Sequence, residues 1–154
     1  MDYVTSKDCF EVKISIEILD IIKKSTDGCP YEIGGILGSS NGEIIDSVVI
    51  DKPDTKPLRR CSYEPNVECL NQNIDLWQDN GVSFKGIFHT HFGGVKTLSC
   101  GDVKYINTIM EAMPSQIEYL YFPIFVLPDC KLISYRASIT DGKVHIQEDI
   151  LTIE

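Results

Sequence analysis

The chain has 154 residues, of which 43% are hydrophobic and 24% charged, with a formal net charge of −9. This predicts a single domain over residues 1–154 with a core of its own, and it excludes wholesale disorder. No apolar run approaches the ~20 residues of a membrane span, and the acidic balance speaks against nucleic acid as a partner, because phosphate binding needs clustered Lys and Arg. The opening segment, MDYVTSKDCF, holds no apolar signal core, which predicts a cytoplasmic rather than a secreted protein.

In chain order, Phe10, Val12 and Ile14 alternate with Glu11 and Lys13 as a short strand would. Ser15 then caps a helix with the stripe Ile18, Leu19 and Ile22; Glu17 lies in its first turn, Lys23 and Lys24 in its last, and Gly28 stops it. Tyr31 to Leu37 reads as a strand carrying Gly34 and Gly35, and Glu43 to Ile50 as a second, rich in Ile and Val. Asp51 to Pro65 is a loop with Lys52, Lys56, Arg59 and Arg60, a basic segment in an acidic protein and a candidate for substrate contact. A helix over about residues 66–80 has Val67, Leu70, Ile74 and Trp77 at helical spacing, which marks a core-facing stripe, and Gly81 ends it.

Ser83 to His91 is a strand entering the core, followed by a glycine-containing loop, Phe92 to Leu98, the second candidate for substrate contact. A third helix over about residues 101–113 puts Val103, Ile106, Met110 and Met113 on one face. YLYFPIFVL, from Tyr119 to Leu127, is a strongly apolar strand whose Pro123 predicts an edge or bulged position. Leu132 to Ser138 and Lys143 to Ile150 flank the hairpin turn Asp141-Gly142. The fold class is therefore α+β, or α/β-like: a single mixed, largely antiparallel sheet flanked by about three helices.

The scarce chemistry is six cysteines and three histidines. No two cysteines are spaced Cys-x-x-Cys, and the length lies above the small disulfide-rich class, so they read as reduced thiols buried as small apolar side chains. His145 reads as a solvated strand residue. His89 and His91 differ, because residues i and i+2 of a strand share a face and two imidazoles can converge on one point. Asp102, at the start of the third helix, can add an oxygen ligand, and three ligands with one open position is the layout of catalytic zinc. Ser99-x-x-Asp102 ahead of an apolar helix also fits a capping box.

The joint pattern is His89-Thr90-His91, seven residues, Ser99, two residues, Asp102, with Glu32 upstream in EIGGILGS. It resembles the JAMM (JAB/MPN+) metallopeptidase family in its compact, standalone prokaryotic JAB form. The order of elements is similar across nearly the whole chain. Phe92 and Leu98 stand where family members commonly have proline, which bears on loop shape and substrate fit rather than on ligands. The resemblance implies the MPN/JAB (cytidine-deaminase-like) architecture. It implies one catalytic Zn2+ held by His89, His91 and Asp102 with water as fourth ligand, Glu32 as the proton-transferring carboxylate, and Ser99 as donor to the oxyanion.

The implied activity is hydrolysis of the amide after the C-terminus of a ubiquitin-like protein or its conjugate. Activating (E1-like) and conjugating (E2-like) enzymes of the same pathway are the implied partners, as in bacterial ubiquitin-like or antiphage systems. Processing of a sulfur-carrier protein and a non-catalytic MPN-type interaction domain are the alternatives within the resemblance. A cysteine enzyme built on Cys100 is a further reading of the residues, disfavoured because both nearby histidines suit a metal better.

Overall fold

The central strands carry apolar side chains on both faces, so both faces of the sheet must be covered. The computed structural model describes residues 11–52, 63 and 65–154. Phe10 of the expected first strand, Cys9, Cys61 and most of the basic loop, including Lys56, Arg59 and Arg60, lie outside the described residues.

The elements run β1 (Glu11–Ile14), α1 (Ile16–Thr26), β2 (Gly34–Ser39), β3 (Ile44–Ile45), β4 (Ser47–Asp51), α2 (Val67–Asp79), β5 (Ser83–His91) and α3 (Cys100–Ala112). Then follow β6 (Tyr119–Tyr121), β7 (Ile124–Val126), β8 (Lys131–Ile133), β9 (Tyr135–Thr140), β10 (Lys143–Glu148) and β11 (Ile150–Ile153). The main sheet has eight strands in the order β10-β9-β6-β5-β2-β4, with β7 also on β5 and β8 on β7. Its pairings are antiparallel except where β6 and β7 run parallel to β5. The α+β class is as expected, and a second sheet is added: β11-β1-β3, three parallel strands.

Successive residues of a strand face opposite ways, and the two core clusters divide accordingly. Leu37, Phe88 and Tyr121 pack with Ile18 and Ile22 of α1 and with Val12 and Ile14 of β1. Their neighbours Ile36, Ile87 and Leu120 pack with Leu70 of α2 and with Ile106 and Met110 of α3. Thus α1 and the small sheet cover one face, and α2 and α3 the other. Phe88 is fully buried at the centre, and its truncation to alanine would cost roughly 3–5 kcal/mol.

Local chemistry places the helix ends. Ser15 Oγ accepts the Ile18 amide at 3.4 Å, and Asn66 Oδ1 accepts the Cys69 amide at 3.2 Å. At the β9–β10 turn Asp141 and Gly142 both take positive φ, 53° and 74°, as a two-residue hairpin of this hand requires. Among the described residues no helix is long and apolar enough to cross a membrane.

Several expectations are corrected. The strand expected from Tyr31 begins at Gly34, because the Ile33 amide bonds the Thr90 hydroxyl at 2.9 Å rather than a ladder carbonyl. The Glu43–Ile50 strand breaks at Asp46, whose carboxylate accepts the Ser40 amide at 2.9 Å; β3 then joins the small sheet and β4 the main one. YLYFPIFVL is two strands rather than one, and neither lies at an edge. Pro123 has no N–H to donate, so the ladder is interrupted there, and the antiparallel partner changes from β9 to β8. Val67 and Val103 are 63% and 38% exposed and leave the predicted stripes, because the buried face of each helix is narrower than its spacing allows. The four described cysteines are free, as expected, but not buried: Cys69 and Cys100 are exposed, Cys29 and Cys130 partly so.

Candidate metal centre

His89 and His91 end β5 on the face that Ile87 turns toward α2 and α3. Both are buried, at 1% and 6% exposure. Asp102 reaches them from the first turn of α3. There Ser99 Oγ accepts the Asp102 amide at 3.0 Å, while Asp102 Oδ2 accepts the Ser99 amide at 2.8 Å. The capping box and the ligand reading are therefore one arrangement. The box fixes the carboxylate, and the carboxylate faces the imidazoles. His89 Nε2 lies 3.1 Å from Asp102 Oδ1, His91 Nε2 lies 3.0 Å from Oδ2, and the two Nε2 atoms are 2.9 Å apart.

These donors fit a metal ion. All three lie within 4.8 Å of one another. Ligands ~2.0–2.1 Å from a tetrahedral zinc stand roughly 3.3 Å apart, close to the separations seen. Two neutral imidazoles and one carboxylate suit zinc among the first-row metals. His91 Nδ1 contacts the Val95 carbonyl at 3.1 Å, which leaves Nε2 to coordinate. Without a cation, the donors satisfy one another only through protons. Burial pulls the His91 pKa down, but the Asp102 hydrogen bond and charge more than reverse this and hold it above its ordinary value. Burial likewise raises Asp102, while hydrogen bonds from His89 and His91 hold it well below the usual carboxylate range.

Glu32 joins them through sheet register. Gly34 pairs with His89 across β2 and β5, so two residues back the chain brings Glu32 toward His91 on the same face. The segment between is held by Thr90, which points to the opposite face: its hydroxyl accepts the Ile33 amide at 2.9 Å, and its own amide bonds Ile33 O at 2.9 Å. Glu32 is buried at 8% exposure. Burial pushes its carboxyl up from 4.5 to about 7; the Asp102 charge adds to this, while His91 and the Tyr63 backbone amide oppose it.

Several residues that support this centre carry no local sequence signal. Tyr63 stacks on His89 with ring planes 9° apart, and Tyr105 meets the same ring edge-on, both at 6.1 Å between centroids. The Phe92–Leu98 loop holds His91 through Val95 and is itself tied down by the Tyr135 hydroxyl, which donates to Lys96 O at 2.7 Å. Ser99 is exposed at the start of α3. His145 is exposed on β10, outside this cluster.

No protein-family profile and no curated protein matches the chain in sequence. Solved structures do match in shape. A JAB1/MPN domain protein from Archaeoglobus fulgidus superposes with a TM-score of 0.52 over 92% of this chain and 98% of its own, at 16% identity. The chain has the JAB1/MPN fold. A protein of Desulfitobacterium hafniense matches at TM-score 0.60 over 93% of this chain and 94% of its own length, at 17% identity. A protein of Salinibacter ruber matches at TM-score 0.55 over 92% of each, also at 17% identity. At such identities the likeness is one of fold, and the chemistry of this chain rests on its own residues.

Proposed function

We propose that this JAB1/MPN chain is a zinc-dependent peptidase that hydrolyses the amide after the C-terminus of a ubiquitin-like protein or its conjugate. The observation that carries the reading is the convergence of His89, His91 and Asp102 within 4.8 Å, with a buried carboxylate of raised pKa beside them. Bound zinc would supply Lewis acidity and a water acidic enough to ionise near neutral pH.

The chain's own residues supply the rest. Glu32, titrating at about 7, is matched to accept the proton of the attacking water and return it to the leaving amine. Ser99 Oγ uses a lone pair on the Asp102 amide and keeps its proton to donate to the developing oxyanion. Asp102, held by the Ser99 amide, keeps its oxygens on the imidazole side.

A ubiquitin-like substrate, E1-like and E2-like partners and a cytoplasmic setting belong to the same proposal. They rest on the family resemblance of the sequence pattern. The test is hydrolysis of an isopeptide-linked ubiquitin-like conjugate before and after chelation. Full activity after verified zinc removal, or in Glu32→Ala, refutes the proposal.

A further inference from the structure

Two imidazoles hold the centre, and they are fixed in different ways. His91 is oriented by the Val95 carbonyl at 3.1 Å. His89 Nδ1 is buried without a hydrogen-bond partner among the described residues, so its polar contacts are all at Nε2 and nothing on the other side of the ring holds its plane. Packing sets it instead. Tyr105 meets the ring with planes 86° apart, and Tyr63 lies nearly parallel to it at 9°.

The Tyr63 ring occupies a space kept open by a missing side chain. Gly34 is the register partner of His89, and a Cβ there would collide with the Tyr63 ring and would come within 2.6 Å of the Phe88 carbonyl. The ring is pinned from its far end. Its hydroxyl donates to Asp51 Oδ2 at 2.8 Å, and the same oxygen accepts the Asn66 amide at 2.9 Å. Asp51 ends β4 and is itself buried, so this anchor belongs to the sheet. One residue thus stacks on a ligand with its ring and is anchored to the sheet by its hydroxyl.

We infer that Tyr63, pinned by Asp51, is a positioning residue that sets the plane of the His89 imidazole. This rests on the metal-centre reading above. It adds that the end of the 52–63 connection is part of the centre's support rather than only a link between β4 and α2. Aromatic stacking of this kind has a definite magnitude, so loss of the ring should weaken metal binding on the order of fivefold.

The experiment measures zinc affinity by competition with a chromophoric chelator, and the visible spectrum of the Co2+-substituted protein, for Tyr63→Phe, Tyr63→Leu and Tyr63→Ala. Tyr63→Phe keeps the ring and is expected to bind zinc within about twofold of the parent. Tyr63→Leu and Tyr63→Ala should lose roughly fivefold and shift the Co2+ bands, because the His89 plane is released. With a ubiquitin-like conjugate as substrate, the loss should fall on kcat with KM unchanged. Parent-like zinc affinity and Co2+ spectra in Tyr63→Leu, the variant that keeps bulk, overturn the inference while leaving the metal centre intact. A parent protein that binds no zinc overturns both together.

Discussion

Raising the pH of the metal-free protein should destabilise it, and Glu32 should be the main cause. Its carboxyl ionises near 4.5 when exposed and at about 7 when folded. Between those values the folded state holds a proton that the unfolded state has released, so stability falls as pH rises through that window. Glu32 contributes fully below 4.5 and loses its contribution by about 7. His91 acts in the same direction somewhat higher, because its folded pKa is also raised. The whole Glu32 difference bounds the effect at about 3 kcal/mol, and local relaxation and water entry reduce it to on the order of 2 kcal/mol. For a chain of this length that is a Tm lower by roughly 4–8 °C. The assay is thermal unfolding in chelator at pH 5 and pH 8, for the parent and for Glu32→Gln. Glu32→Gln should lose most of this pH dependence and keep the smaller part due to His91. A pH dependence identical in the two proteins would refute the argument that burial of Glu32 sets it.

Zinc should reverse this trend. Metal must displace protons from His91, so zinc affinity, read by chelator competition, should rise from pH 6 to pH 8, and a flat profile would count against His91 as a ligand. Ser99→Ala should show two separable effects: about 1 kcal/mol of stability lost with the α3 cap, seen in denaturant unfolding, and ~10²–10³ in kcat. A kcat loss no larger than the change in zinc occupancy would remove the oxyanion role. Gly34→Ala should cost about 1–3 kcal/mol in the same unfolding assay, because the new methyl group meets the Phe88 carbonyl at 2.6 Å and the Tyr63 ring.

The metal centre was readable in sequence because its parts are local. His89 and His91 share a face by the two-residue period of a strand, and Ser99 to Asp102 is a helix start. Glu32 entered through a family resemblance. Its physical reason is the β2–β5 register, a long-range pairing that no spacing reveals. Tyr63 and Asp51 stayed hidden for the same reason: a tyrosine in a proline-containing loop looks like any other until the sheet places Gly34 beneath it. The starts of α1 and α3 were legible because caps are local, at Ser15 and Ser99. Pro123 was read as putting one strand at an edge or bulge, and it instead divides the segment into two strands. A proline usually signals an edge, and here the chain instead changes partner in the middle of the sheet. The split of residues 43–51 between two sheets depends on β1 and β11, far apart in the chain, and local pattern carries no trace of it.

The central claim is that His89, His91 and Asp102 form one zinc site that the hydrolytic chemistry requires. The most direct measurement titrates zinc into metal-free protein while following cleavage of an isopeptide-linked ubiquitin-like conjugate, with bound metal counted in parallel. Activity should rise in step with zinc and saturate at one ion per chain, with neither binding nor activity in His89→Ala. Zinc uptake at full stoichiometry in His89→Ala, or cleavage that proceeds without zinc, would contradict it.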